Sequence, residues 1–257
     1  MATIAENKKK VILIAAALLA IVFFQSDLFA GGLVLNHTGT IKVTRPDGVV
    51  LMIEPGQALP DIPMGSRVEV RSGSIEIEPS EGFIQIVVGD SVATVKAGDS
   101  LSASIDPKTS ISDFKVNKGQ INVISRNTTI ALNAGQHAQI GLDKDTGVTT
   151  VKSLAGVIEA ITVGVKAVIP EGATFKMSAD AKTRNVHVEC VKCSGGKTVC
   201  KVITVEGKVI ELHTGQAIDT PGSAEGEIQT FEAKEAKFDA VEVPPQPARP
   251  EGSPYGN

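Results

Sequence analysis

The 257-residue chain contains no Trp, one Tyr and eight Phe. Its core cannot be built on bulky aromatic rings and falls instead to thin aliphatic side chains. Cys is as scarce: three in all, none near residue 30, which argues against lipid attachment at an N-terminal cysteine. Positive charge is not in excess. The formal net charge is −4, so the basic footprint of a nucleic-acid binder is missing. No amphipathic helical stretch lies between residues 31 and 220, and no G-x-S-x-G, H-E-x-x-H or Walker-type run occurs. The expectation is a protein that is not an enzyme and has no cofactor.

What the chain does have is glycine, 25 residues of it, with many Val, Ile and Ala. Thin β-branched residues separated by glycine read as short strands and tight turns. The side chains alternate with period two, so each strand buries one face. One pattern recurs: "GTIKV" from Gly39, "GSIEI" from Gly73, "GQINV" from Gly119 and "GVIEA" from Gly156. Each is followed by a second glycine, at Gly56, Gly89, Gly135 and Gly172, and a further "VKAGDS" covers 95–100. Glycine supplies positive φ there without steric cost. The starts lie 34, 46 and 37 residues apart. That spacing argues against a strict solenoid and favours antiparallel hairpin repeats stacked as a sandwich or an irregular solenoid.

The two ends read differently. Lys8, Lys9 and Lys10 precede the apolar run 11–24, and Ala30 is a small residue at a candidate cleavage point. A basic segment followed by an apolar run of this length is a signal-peptide pattern, so residues 1–30 are expected to be a signal peptide or an uncleaved membrane-anchor helix. A spanning helix needs about 20 apolar residues. Both alternatives put the rest of the chain outside the cytoplasm, periplasmic or secreted, with membrane contact only through 11–24 if the segment is retained. From 221 the composition shifts, and 244–257 holds five Pro with almost nothing apolar. Residues 221–257 are expected to be a linker and a disordered Pro-rich tail. The β-rich region is then 31–220, with a sub-boundary expected near 118.

Residues 56–106 carry a G-x-x-L step, then "PMGSRVEVRSGS", then a strand ending near "VVGDS". Together with "GQINV … IALNAGQHAQI" (119–140), this resembles the FecR-like extracytoplasmic domain of bacterial envelope sensors. The resemblance implies an all-β, non-enzymatic exported domain. Those sensors also carry a cytoplasmic segment that acts on a sigma factor. Only ten residues precede the apolar run here, so the regulatory role is not expected to carry over.

All three cysteines fall in "HVECVKCSGGKTVC", residues 187–200. His187, Cys190, Cys193 and Cys200 are four zinc-type ligands at H-x2-C-x2-C-x6-C spacing, which lacks the second C-x2-C pair of a strong zinc pattern. In an extended strand His187 and Cys190 point to opposite faces. Residues three apart in a strand lie about 10 Å from each other, so a Cys190–Cys193 redox pair requires a turn at Val191-Lys192. Taking "SGG" as a hairpin loop puts Cys190 opposite Cys200, Glu189 opposite Lys201 and Val188 opposite Val202, which satisfies cross-strand pairing. The expectation is a Cys190–Cys200 disulfide with Cys193 left near the tip; a metal site and a redox pair are the alternatives. "DKDTG" (143–147) opens like a calcium loop but has no Glu at the right distance, and reads more simply as a hairpin tip. The other histidines, His37, His137 and His213, fall in separate units.

The function expected is a non-catalytic module of the cell envelope that binds a protein or a wall glycan. A self-associating structural element and a small metal- or redox-active protein are the alternatives.

Overall fold

A computed structural model describes residues 33–193 and 199–224. The leader, the tail beyond 224 and the "SGG" segment lie outside the described residues. Those described form twenty strands and no helix. In chain order they are β1 (Leu33–Thr38), β2 (Ile41–Thr44), β3 (Val50–Ile53), β4 (Arg67–Val70), β5 (Gly73–Glu78), β6 (Phe83–Val88), β7 (Ser91–Lys96), β8 (Ser100–Asp106), β9 (Ile111–Lys118) and β10 (Gln120–Ser125). There follow β11 (Thr128–Asn133), β12 (His137–Leu142), β13 (Thr149–Ala155), β14 (Ile158–Thr162), β15 (Val165–Ile169), β16 (Thr174–Ala179), β17 (Asn185–Lys192), β18 (Cys200–Ile203), β19 (Val209–Leu212) and β20 (Ala217–Pro221).

The strands form two sheets. One has nine strands in the order β1-β5-β8-β9-β12-β13-β16-β17-β20, the other eleven in the order β19-β18-β15-β14-β11-β10-β7-β6-β4-β2-β3. From β6 onward the chain makes a hairpin in one sheet, crosses, and makes the next in the other. Every ladder is antiparallel except β4–β6, where the first unit joins the series. Residue 118, the expected sub-boundary, falls inside both sheets: the ladders β7–β10 and β9–β12 continue across it.

The alternating pattern forces this layering. In β10 the buried residues are Ile121, Val123 and Ser125, and in β14 they are Ile158, Ala160 and Thr162. The inward rows of the two sheets merge into one apolar cluster running from Ile41 to Leu212. With so few aromatic rings, size is matched locally. Phe114 on β9 lies between Ala103 on β8 and Ala138 on β12, and all three are buried.

The repeat is more regular than the spacing of Gly39, Gly73, Gly119 and Gly156 suggests, because Gly73 and Gly89 belong to other turns than their expected counterparts. Gly82, Gly119 and Gly156, which precede β6, β10 and β14, stand 37 residues apart. So do the turn glycines Gly98, Gly135 and Gly172, and so do the first turn residues of the β6–β7, β10–β11 and β14–β15 hairpins, Gly89, Arg126 and Val163. The last three share φ values of 55°, 50° and 46°. Gly73 is not equivalent to Gly119, since it leads into the nine-stranded sheet. Gly39 and Gly73 meet where the chain crosses between sheets: a Cβ on Gly39 would lie 2.2 Å from the Ser72 carbonyl oxygen, and one on Gly73 would lie 2.1 Å from that of Thr38.

The turns carry the period in their hydrogen bonds as well. At Gly135 the Gln136 N–H donates to the Asn133 carbonyl (2.9 Å) and the Asn133 N–H donates to Gln136 Oε1 (2.7 Å). Gln57 and Gln216 accept in the same way from Glu54 and His213. The hairpin tips of the nine-stranded sheet begin at Asp106, Asp143 and Asp180, again 37 apart. Each aspartate carbonyl accepts the N–H four residues on, from Ser110, Gly147 and Arg184, at 2.8 Å. Each carboxylate accepts backbone N–H groups of its own turn. "DKDTG" is therefore a hairpin tip whose Asp143 is occupied by its own backbone.

Candidate functional site

The 37-residue period breaks once in the later units. Gly172 and Gly215 occupy equivalent turns but are 43 residues apart. Five of the six extra residues fall between β17 and β18, where the cysteines are, and the sixth lengthens the β18–β19 tip: Cys200 pairs with Leu212, twelve residues on, where Ile158 pairs with Ile169, eleven on. Insertions into a stacked repeat are common places for function.

Along β17, Val186, Val188 and Cys190 are buried while His187 and Glu189 face outward. His187 Nδ1 lies 2.8 Å from Asp219 Oδ1 on β20, on the outer face and away from the sulfurs. It is not part of a ligand set with the cysteines. Cys200 opens β18 and is buried opposite Leu212 of β19.

The hairpin expected around "SGG" is not formed. β17 pairs with β16 and β20 in one sheet, and β18 pairs with β15 and β19 in the other. Glu189 faces Lys176 and Ala217, and Lys201 faces Glu211 and Val168. Glu189 and Lys201 do not face each other because the chain changes sheet between these strands, as it does after every hairpin of the series. Cys190 and Cys200 therefore meet across the core, with their Sγ atoms 3.5 Å apart.

Cys190 is disulfide-bonded to Cys193, and Cys200 is a free, buried thiol. The expected Cys190–Cys200 bond is thus not the one present here. The Cys190–Cys193 pair forms without the expected turn. The ladder to β16 shifts between Thr174, opposite Lys192, and Phe175, opposite Cys190, so Val191 is an extra residue in a β-bulge. The bulge brings the two Cα atoms to 6.5 Å. The last glycine turn clamps the arrangement: the Cys190 N–H donates to the Gln216 carbonyl (2.9 Å), and the Gly215 N–H donates to that of Cys190 (2.7 Å). The Cys193 N–H donates to Thr214 Oγ1 (2.9 Å).

All three sulfurs lie within 4.8 Å of one another. Reduced, they are a cluster of soft ligands of the kind that suits thiophilic metal ions. With Cys190 and Cys193 joined, they are a disulfide with a third thiol beside it. Burial pushes the Cys200 thiol up to about 11, so at neutral pH it is protonated. The remaining histidines sit in separate places: His137 Nε2 is 2.5 Å from Asp113 Oδ1, and His37 Nε2 is 2.9 Å from the Gln57 carbonyl oxygen.

A second feature lies at the ends of the larger sheet. Among the described residues the eleven-stranded sheet ends on β3 and β19, each paired on one side only. Ten large apolar side chains are exposed among the described residues. Five lie at these two edges: Val49, Val50 and Met52 at β3, and Val205 and Val209 at the β18–β19 hairpin. Only the topology identifies these strands as edges; their sequences look like those of interior strands. No protein-family model, curated protein or solved structure matches the chain.

Proposed function

We propose that this chain is an exported, non-catalytic module of a bacterial cell envelope that binds a protein partner by strand addition at the ends of its eleven-stranded sheet. The observation that carries the reading is the concentration of exposed apolar residues on β3 and β19, with Val209 54% and Met52 48% exposed. Unpaired edge backbone supplies hydrogen bonds to an incoming strand, and alternate side chains supply apolar contact. Export is supported by the lysines before the apolar run 11–24, and the envelope setting by the FecR-like resemblance.

Capture from envelope extract tests it. The protein is compared with a Met52→Lys/Val209→Lys variant and with Ile124→Lys, a control at an exposed position of the interior strand β10. Loss of capture in the edge variant alone supports the reading. Equal capture by all three, or capture of glycan by all three, counts against it.

Self-association is the second reading, and one observation favours it. Followed ladder by ladder, with the single parallel step at β4–β6, the strands β3 and β19 run in opposite directions. A second copy stacked end to end would pair them antiparallel. Stacked-repeat proteins need their terminal units covered. Light scattering over a concentration series separates the readings: a mass that stays monomeric removes this second one.

A further inference from the structure

We propose that the three cysteines form a thiol–disulfide exchange site in which Cys190 is the shared sulfur, bonded in one state to Cys193 and in the other to Cys200. The proposal is independent of partner binding at the sheet edges and rests on different residues.

Three observations carry it. Cys190 is bonded to Cys193, while the Cys200 Sγ waits 3.5 Å away from the opposite sheet. Cys193 is partly buried whereas Cys200 is fully buried, so the two states differ in where the free thiol stands. The 37-residue period is also interrupted between these strands, by a segment that the regular units fold without.

The step balances within the chain. Cys200 gives its proton to water, and its thiolate attacks Cys190 Sγ. The Cys190–Cys193 bond breaks as the Cys190–Cys200 bond forms. Cys193 leaves as a thiolate and takes up a proton. One disulfide replaces another, and no oxidant or reductant is consumed. The first state closes a local loop at the end of β17. The second ties the two sheets together through the core and leaves Cys193 as the free thiol.

The surroundings make the step slow. Leu212 flanks Cys200 on β19, and Cys190 faces it from β17. Its charged neighbours, Lys201 and Glu211, are exposed on the opposite face of the β18–β19 ladder. Among the described residues no charged side chain of the β18–β19 ladder stands on the sulfur's face, so attack waits for deprotonation and quickens in alkaline buffer.

The test is peptide mapping of the unreduced full chain. Samples are held for increasing times in mildly alkaline buffer, quenched with acid and alkylated. Both the Cys190–Cys193 and the Cys190–Cys200 linkages are expected, with the alkylated residue shifting from Cys200 towards Cys193 as incubation lengthens. Cys200→Ser should hold only the first linkage and Cys193→Ser only the second, with unchanged far-ultraviolet circular dichroism. A single linkage in the natural chain at every time, or three free thiols, overturns the proposal. The natural-chain result stands even if a variant does not fold.

Discussion

Cys190 and Cys200 approach to 3.5 Å from different sheets, although their neighbours in sequence suggest two strands of one hairpin. Because Cys200 is sealed in apolar surroundings, its thiol titrates at about 11. Alkylation of Cys200 in the folded protein is therefore expected to be very slow at neutral pH and to accelerate as pH rises towards that value, while the unfolded chain reacts readily. The folded value lies above the ordinary thiol value of 9.0, so the contribution to stability is complete below 9.0 and is lost as pH rises through about 11. Timed alkylation read by mass spectrometry checks the first point, and denaturant melts across that range check the second.

Glycines with the same φ should differ in tolerance. Gly39→Ala drives a Cβ into the Ser72 carbonyl and must displace backbone, so a loss beyond about 4 kcal/mol is expected. Gly135 at φ 83° has nothing within 4 Å of its Cβ position. Gly135→Ala should cost only the left-handed strain of about 1–2 kcal/mol. Urea melts of the two variants rank them directly, and equal losses would refute the crossing described at Gly39 and Gly73.

Val163 is a β-branched residue at φ 46°, a conformation its side chain disfavours. Its equivalents in the two preceding units are Gly89 and Arg126. Val163→Gly is expected to raise stability by about 1 kcal/mol through relief of that strain, seen as a higher denaturation midpoint. A lower midpoint would mean that its packing outweighs the strain.

Phe114 fills the space between Ala103 and Ala138. Neither alanine can expand into a void, so Phe114→Ala should cost about 3–5 kcal/mol. In a chain this poor in aromatic rings, thermal unfolding should report the loss clearly.

Asp106, Asp143 and Asp180 are all held below the ordinary carboxylate value. The leading causes are the Lys108 N–H for Asp106, the Thr146 hydroxyl for Asp143 and the Thr183 N–H for Asp180. A depressed folded pKa gives stability that is present above the unfolded value, about 4, and lost as pH falls through the folded one. Replacing all three with Ala should flatten the decline in stability below about pH 4 relative to the natural protein. An unchanged slope would show that the turns do not depend on ionised aspartate.

Much of this fold was legible in the sequence. Alternation in stretches such as 120–125 and 158–162 gave the strands, and the glycines gave turns with positive φ. The phase of the repeat was not legible. Gly73 and Gly119 both precede alternating apolar residues, yet they lead into different sheets. Gly89 turns a hairpin, whereas Gly98 is the true counterpart of Gly135. The aspartate tips at 106, 143 and 180 carried the period, but they share only Asp and the Thr three residues on. At the cysteines, local pairing rules favoured one hairpin, and only the alternation of hairpins between sheets decides that β17 and β18 are opposed. The bulge at Val191, which lets Cys190 reach Cys193, leaves no trace in residue type.

Strand addition at the sheet ends is tested most directly by amide hydrogen exchange on the protein with its captured partner. The expected result is new protection confined to the outward-facing amides of β3 or β19, with interior strands such as β10 and β14 unchanged. Protection on the sheet faces or hairpin tips, with both edge strands exchanging as in the free protein, would contradict the account.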